Sequence, residues 1–432
     1  MNPRNASPSS LLRRRDLLGA GAALGALSLA GCATGAASGP SIGKVVVVGG
    51  GYGGATAARY LRLWGGNVDV TLIERQPQFI SCPISNLVLG GHRQMGEITL
   101  GYDGLKAAGV KLLQGEVLAI DAAAKKVRLA GGTELPYDRL IVSPGVDFMA
   151  DQVGGLAAAL EAGSVTHAWK AGPQTVALRN QLTAMADGGV VAMTIPKAPY
   201  RCPPGPYERA CMIASYLKAA KPKSKLLVLD ANPEIQSKKA LFERAFRQHY
   251  DGLLEYRPNA ELKEVAGRLA RFDFEDVKAD VLNVIPPQRA ADIARGAALV
   301  NVNSRWVGVN WLTMEATAAP GVHVLGDAVF SAPAMPKSGH MANQHGKLAA
   351  AAVIQLLRGE AVIPAPVVMN TCYSFVTAQE AIHVASVHQY DAAERTFKAV
   401  AGAGGVSAAS SRSEGLHAQD WARNVWADML AL

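Results

Sequence analysis

The stretch between residues 44 and 74 restricts the fold of this chain more than any other. Lys44-Val45-Val46-Val47-Val48 is an unbroken β-branched run, which suits a strand buried on both faces of a parallel sheet. It leads straight into Gly49-Gly50-Gly51-Tyr52-Gly53-Gly54, with Gly49, Gly51 and Gly54 in the spacing GxGxxG. A helix-compatible segment over 55–64 follows, then a second apolar run from Val68 that ends at Glu74, twenty residues past Gly54. Each position answers a demand of a dinucleotide. Gly49 permits the tight turn, Gly51 lets the backbone approach a pyrophosphate, and Gly54 lets helix and strand pack closely. The helix N-terminus faces the phosphates, and Glu74 accepts hydrogen bonds from ribose hydroxyls. A lone GxGxxG is a weak signal; strand, glycines, helix, strand and acid in register are a strong one.

A chain of 432 residues with 49% hydrophobic composition can bury two or three domains. Its 44 glycines and 6% aromatics suit a turn-rich α/β protein. The formal charge of +8 falls to +5 once residues 1–40, with four arginines and one aspartate, are set aside. No basic run interleaved with aromatics is present, so no nucleic-acid partner is expected. Those forty residues read as an export leader. Arg13-Arg14-Arg15-Asp16-Leu17-Leu18 is a twin-arginine pattern, followed by a Gly/Ala/Leu stretch too short and too weakly apolar to span a bilayer. A periplasmic location is the expectation. Leu29-Ala30-Gly31-Cys32 is compatible with lipid attachment at Cys32, hence a membrane tether, or with plain cleavage nearby. Four cysteines remain beyond the leader: Cys82, Cys202, Cys211 and Cys372. They are too few for a disulfide scaffold, which makes any bridge a functional one.

Two later segments identify the dinucleotide through resemblance. Tyr137-Asp138-Arg139-Leu140-Ile141-Val142-Ser143-Pro144-Gly145 resembles the strand and turn that close the FAD domain of two-dinucleotide-domain flavoproteins. Val322-His323-Val324-Leu325-Gly326-Asp327-Ala328 resembles their second FAD motif, whose carboxylate meets the ribityl chain, here Asp327. With the first motif they make the chain resemble the glutathione-reductase-type flavoproteins. This implies FAD and an α/β fold of two Rossmann-like dinucleotide-binding-type domains plus a C-terminal interface domain. Ser338 is a suitable N-cap for a helix over 339–357 with Gly359 as its stop. The positive end of that helix would face the flavin's N1/C2=O region. Lys337 reads either as a catalytic group there or as a solvated lysine; His340 and His345 read as polar helix residues.

A second strand–turn–helix–strand unit runs from Gly189 to Asp230, where related reductases bind NAD(P)H. Its turn, Arg201-Cys202-Pro203-Pro204-Gly205-Pro206-Tyr207-Glu208, lacks the glycines. Three prolines also remove three N–H donors that a pyrophosphate would use. The unit keeps the fold while its nicotinamide site reads as disabled, and a cysteine takes the strategic turn.

The contexts Phe79-Ile80-Ser81-Cys82-Pro83-Ile84-Ser85-Asn86, Tyr200-Arg201-Cys202-Pro203-Pro204-Gly205-Pro206-Tyr207-Glu208-Arg209 and Asn370-Thr371-Cys372-Tyr373-Ser374 together resemble the flavoprotein subunit of flavocytochrome c sulfide dehydrogenase. The leader and the closing 420–429 segment fit, so the resemblance spans essentially the whole mature chain. It implies FAD held by a thioether to Cys82 and a redox-active Cys202–Cys372 disulfide beside the flavin. Cys211 reads as packing. In the implied reaction hydrosulfide attacks the disulfide, a persulfide forms, a thiolate is released, and two electrons reach FAD. Glu208 is a candidate proton acceptor or a structural carboxylate at a helix start. With no CxxCH in the chain, haem c belongs to a partner, a c-type cytochrome subunit. No metal site is expected. Two other readings stay open: a sulfide:quinone oxidoreductase-like enzyme and a non-catalytic flavin-binding electron-transfer protein. The expected layout is a leader over 1–40, a FAD domain from 41–155 and 290–365, a second Rossmann-like domain over 156–289, and a C-terminal interface and active-site domain over 366–432.

Overall fold

The computed structural model describes residues 40–432; the twin-arginine segment and Cys32 lie outside the described residues. Residues Ser41–Leu432 form one compact unit. Its first sheet has seven strands, in the spatial order Val309–Asn310, Glu315–Ala316, Val322–Val324, Arg139–Val142, Gly43–Val48, Val68–Glu74, Lys111–Gln114. The pairs among the last five strands are parallel. The first strand is buried along its β-branched run because neighbours flank it and helices cover the sheet. Residues 43–142 and 309–324 thus share one sheet although the second Rossmann-like unit separates them in sequence.

That second unit is a four-stranded parallel sheet in the order Leu254–Arg257, Lys225–Asp230, Val190–Ile195, Val281–Val284. A three-stranded antiparallel sheet, Val367–Phe375, Ala381–Asp391 and Thr396–Val406, precedes the final helix, Arg412–Leu430. Trp426, Met429 and Leu430 of that helix are buried, and no helix among the described residues is long and apolar enough to cross a membrane.

The helix after the first strand spans Tyr52–Gly65, starting three residues earlier than the sequence suggests. Gly51 is its N-cap, so Gly53 and Gly54 lie inside the first turn, where close approaches demand them. The second-motif helix spans Gly339–Arg358, capped by Ser338 and stopped by Gly359 in the left-handed region. These two helices pack directly on each other. A Cβ on Gly346 would lie 2.5 Å from the Gly53 carbonyl oxygen, and Asn343 Nδ2 donates to Thr56 Oγ1 at 2.9 Å across the contact. Glycine at 346 therefore sets how near the two N-termini come. Alanine is the better helix former by about 1 kcal/mol, yet Gly346→Ala is expected to cost about 1–3 kcal/mol through overpacking. Gly296→Ala, where a Cβ meets open space, should cost nothing. Urea midpoints of the two variants, compared with the parent, check this.

Candidate active site

The glycine turn shows local reasons for its sequence. Gly49 has φ +96°, and a Cβ there would stand 2.4 Å from the Ser143 carbonyl oxygen. A Cβ on Gly54 would stand 1.9 Å from the Gly49 carbonyl oxygen, so strand and helix can meet only through glycine. Gly51 differs: a Cβ there meets nothing, and no side chain caps the helix. That leaves a helix N-terminus with room for an anion. Glu74 Oε2 accepts from the Gly50 amide at 2.7 Å and Oε1 from the Gln76 amide at 2.9 Å, bracing the turn with lone pairs left over for hydroxyl donors. Gly145, φ +68°, also borders open space.

In the second motif, Asp327 Oδ1 is buried without a hydrogen-bond partner. Burial raises its pKa, opposed by Arg201 and Lys337. A buried acceptor of this kind calls for a donor, and a ribityl hydroxyl supplies one. Ser338 Oγ accepts from the Met341 amide at 3.0 Å and donates to Asn370 Oδ1 at 2.5 Å, fixing the start of the Gly339–Arg358 helix. Open helix start, open glycine edge and orphaned carboxylate together fit FAD, which Gly49, Gly51, Gly54 and Glu74 would hold at its adenosine diphosphate half and Gly145, Asp327 and Ser338 at its flavin half.

Three cysteines from distant segments are joined to this part of the fold by hydrogen bonds. Cys202 occupies the left-handed region, φ +54°, which costs a non-glycine residue of order 1 kcal/mol. Its amide donates to the Lys337 carbonyl at 2.7 Å, joining the proline turn to the segment before Ser338. Gly205 is small for the sake of this thiol, since a Cβ there would lie 2.9 Å from Cys202 Sγ. Cys372 is buried on the Val367–Phe375 strand, its Sγ accepting from Asn370 Nδ2 at 3.3 Å. Burial pushes the Cys202 thiol up, Cys372 and Glu208 add to this, and Arg201 and Lys238 oppose it. The described cysteines are all free thiols, so the expected Cys202–Cys372 disulfide is here an open pair. Cys82 Sγ accepts from Arg201 Nη2 at 3.1 Å and from the Ala171 amide at 3.4 Å. Tyr52, bonded to Ser81 Oγ at 2.7 Å and approached by Trp426 Nε1 at 3.1 Å, lies within electrostatic reach of Cys82 and Cys202. Cys211 is fully buried on the Gly205–Ala220 helix, where burial pushes its thiol well up.

Glu208 is buried in the first turn of that helix. It accepts from the Phe375 amide at 2.8 Å and from Asn86 Nδ2 at 2.8 Å, tying all three cysteine segments together. Burial raises its pKa, opposed by the hydrogen bonds from Phe375 and Asn86. The solvated reading of Lys337 does not hold. The side chain is buried, and its Nζ donates to the Asp327 carbonyl at 3.0 Å and to the Val329 carbonyl, over the Trp306 ring at 3.8 Å. Burial lowers its pKa to about 7. Its ammonium thus holds the second FAD motif rather than facing the sulfurs. The lysine near the sulfurs is Lys238, which sequence reasoning missed. Its Nζ donates to the Cys372 carbonyl at 3.1 Å and to Ser374 Oγ at 2.8 Å. Arg209, reaching Asn86 Oδ1 at 3.2 Å and the Ala168 carbonyl at 2.6 Å, was likewise not singled out. A left-handed lysine before a helix was the one available signal for Lys238, and φ is not legible in a sequence.

In the second Rossmann-like unit, Asp230 ends its strand where a nucleotide-binding acid would stand. Its Oδ2 accepts from Tyr207 at 2.7 Å and Tyr256 at 3.0 Å, and its Oδ1 from the Asn232 amide at 2.9 Å. Protein side chains have taken the bonds a ribose would make. For the FAD groove, Asp327→Ala removes a charged hydrogen-bond acceptor of about 1.5–3 kcal/mol. FAD affinity is expected to fall tenfold or more, measured by equilibrium dialysis in a Cys82→Ala background.

Residues 175–286 match the family described as sulfide dehydrogenase [flavocytochrome c] flavoprotein chain, central. Residues 364–430 match flavocytochrome c sulphide dehydrogenase, flavin-binding, and residues 43–182 match pyridine nucleotide-disulphide oxidoreductase. The sulfide dehydrogenase [flavocytochrome c] flavoprotein chain of Chlorobaculum thiosulfatiphilum is 53% identical over 45 residues, covering 10% of this chain and 94% of that one. The mitochondrial sulfide:quinone oxidoreductase of Mus musculus is 24% identical over 330 residues, covering 71% of this chain and 69% of that one. The sulfide:quinone oxidoreductase structure from Aquifex aeolicus shares the fold at a TM-score of 0.71 and 18% identity, covering 89% of this chain and 91% of that one. The chain belongs to the family of the flavoprotein chain of flavocytochrome c sulfide dehydrogenase, a sulfide-oxidising branch of the FAD-dependent pyridine nucleotide-disulfide oxidoreductases.

Proposed function

We propose that this protein oxidises sulfide through the Cys202–Cys372 pair and a FAD tethered at Cys82, and passes the electrons to a c-type cytochrome subunit. The observation that supports the reading is the joining of three sequence-distant cysteine segments: Glu208, from the Cys202 turn, bonds Asn86 and the Phe375 amide, and Arg201 bonds the Cys82 sulfur. When bound, FAD supplies a two-electron acceptor that can release electrons singly. The chain's own residues do the rest. Arg201, Arg209 and Lys238 make the site attractive to a small anion such as hydrosulfide. In the oxidised pair, hydrosulfide attacks one cysteine sulfur; a new S–S bond forms, the old one breaks, and the electron pair leaves on the other cysteine as thiolate. Hydrosulfide's own proton remains on the persulfide and has to leave. Glu208, a buried carboxylate in the first turn of the helix that follows Cys202, has its pKa raised by burial and is the first acceptor.

Arg201 Nη2 and the Ala171 amide both donate to the Cys82 sulfur, which supports its reading as the tether. The chain lacks CxxCH, so haem c resides on the partner. A quinone acceptor at a membrane is the weaker alternative, because the C-terminal helix turns Trp426, Met429 and Leu430 into the core. Export by the twin-arginine route to the periplasm, with lipid at Cys32 or plain cleavage, belongs to the same proposal.

Two outcomes are expected. After acid precipitation the yellow colour stays with the pellet, and in Cys82→Ala it moves to the supernatant. In anaerobic stopped flow, Cys202→Ser loses sulfide-dependent flavin reduction by at least a thousandfold; reduction at the parent rate would remove the scheme.

A further inference from the structure

Arg201 stands in the proline turn, one residue before Cys202, yet its side chain is engaged by a different cysteine. Nη2 donates to Cys82 Sγ at 3.1 Å and to the Trp169 carbonyl. Two residues beyond Trp169, the Ala171 amide donates to the same sulfur at 3.4 Å. The segment over 169–171 therefore holds both the guanidinium and its sulfur. The backbone of the turn is fixed on either side of this reach. The Arg201 amide donates to Oε1 of the fully buried Gln288 at 3.0 Å, and the Cys202 amide donates to the Lys337 carbonyl at 2.7 Å.

A sulfur that accepts two N–H bonds, one of them from a cation, is arranged to carry negative charge. The thiolate is the nucleophilic form of cysteine. Cys82 is half-buried, whereas Cys211 and Cys372 are buried. The guanidinium in turn rests on a sulfur and a carbonyl rather than on a carboxylate, so the sulfur is the group that can balance it. Arginine keeps its proton, which makes Arg201 a fixed charge and not a base. Asp327, Cys202, Arg209 and His167 face Arg201 electrostatically, and Arg209 and Tyr52 face Cys82. Of these groups Arg201 alone bonds the Cys82 sulfur among the described residues.

Building on the proposed FAD tether, we propose that Arg201 is the catalytic residue of thioether formation, holding Cys82 as the thiolate that attacks the flavin's 8-methyl carbon. The balance closes with dioxygen as the oxidant. The sulfur–carbon bond forms, one methyl C–H bond breaks, and the electron pair enters the ring system, which is reduced by two electrons. The methyl proton ends on the reduced ring, and the negative charge of the thiolate passes to the ring. Dioxygen then takes the two electrons, the ring's proton and one proton from solvent, leaving hydrogen peroxide and an oxidised, tethered cofactor. One turn thus serves two cysteines: Arg201 prepares Cys82 once, and Cys202 works at every turnover.

The test uses the full chain as parent, Arg201→Lys and Arg201→Gln, each incubated with FAD in air at pH 7 and pH 9. Bound FAD is counted after gel filtration, the tethered share after acid precipitation, and the mass of the Cys82 peptide identifies the link. Arg201→Gln is expected to bind FAD and to tether it roughly tenfold more slowly at pH 7, with Arg201→Lys between it and the parent. Raising the pH to 9, where a thiol ionises unaided, should speed Arg201→Gln more than the parent. Tethering by Arg201→Gln within twofold of the parent overturns the proposal. Equal slowing of both variants without recovery at pH 9 also overturns it, and so does loss of bound FAD from both; either result marks a structural or cofactor-binding arginine. If Arg201→Gln does not fold, slower tethering by Arg201→Lys that recovers at pH 9 supports the proposal, and its absence overturns it. A parent whose yellow colour leaves with the acid supernatant overturns the tether reading itself, and this inference with it.

Discussion

Everything at this centre depends on two helices crossing closer than side chains allow. The Tyr52–Gly65 and Gly339–Arg358 helices meet with Gly346 against the Gly53 carbonyl, and Asn343 bonds both Thr56 and Asp428 at the contact. The crossing brings two positive helix ends to one groove: one opening on Gly51 without a cap, the other fixed by Ser338. The partner elements then follow. The segment before Ser338 receives the Cys202 amide, Ser338 itself holds Asn370, and Asn370 holds the Cys372 sulfur. A chain of hydrogen bonds thus runs from a helix contact to Cys202 and Cys372.

The second Rossmann-like unit shows how a nucleotide-binding fold is put to another use. Its parallel sheet is intact, yet Asp230 is saturated by Tyr207, Tyr256 and Asn232, and the turn that would cradle phosphate carries Cys202 in a left-handed conformation ahead of three prolines. The helix that follows presents Glu208 and Arg209, not bare amides, to the site. The result is a compact assembly of opposed charges. Arg201, Arg209 and Lys238 surround thiols whose anionic forms burial alone would disfavour, and Glu208 balances them. Such a site suits the small anion of the proposed sulfide chemistry.

Much of this was legible in the residues. The strand, glycines, helix and acid from 44 to 74, the Ser338 cap, the Gly359 stop and the proline turn are all local signals, because turn strain, capping and missing N–H groups act between near neighbours. Lys337 shows the limit. Its position before a cap was readable, but whether its ammonium met water, sulfur or the Asp327 and Val329 carbonyls depended on Trp306 and the second FAD motif folding over it. Lys238 and Asn86 carried no signal, since each acts across more than a hundred residues of sequence.

The sequence by itself determined the elements and their chemistry: a parallel α/β framework, a dinucleotide turn at Gly49, Gly51 and Gly54, and cysteines in turns or strands rather than in a disulfide scaffold. Those follow from backbone sterics and hydrophobic period, which operate over a few residues. Only the tertiary structure decided which charges stand beside which sulfurs, because burial and Coulomb interactions depend on distance in space. Arg201 on Cys82, Glu208 between Asn86 and Phe375, and Lys238 on the Cys372 carbonyl exist only once three sheets have packed together.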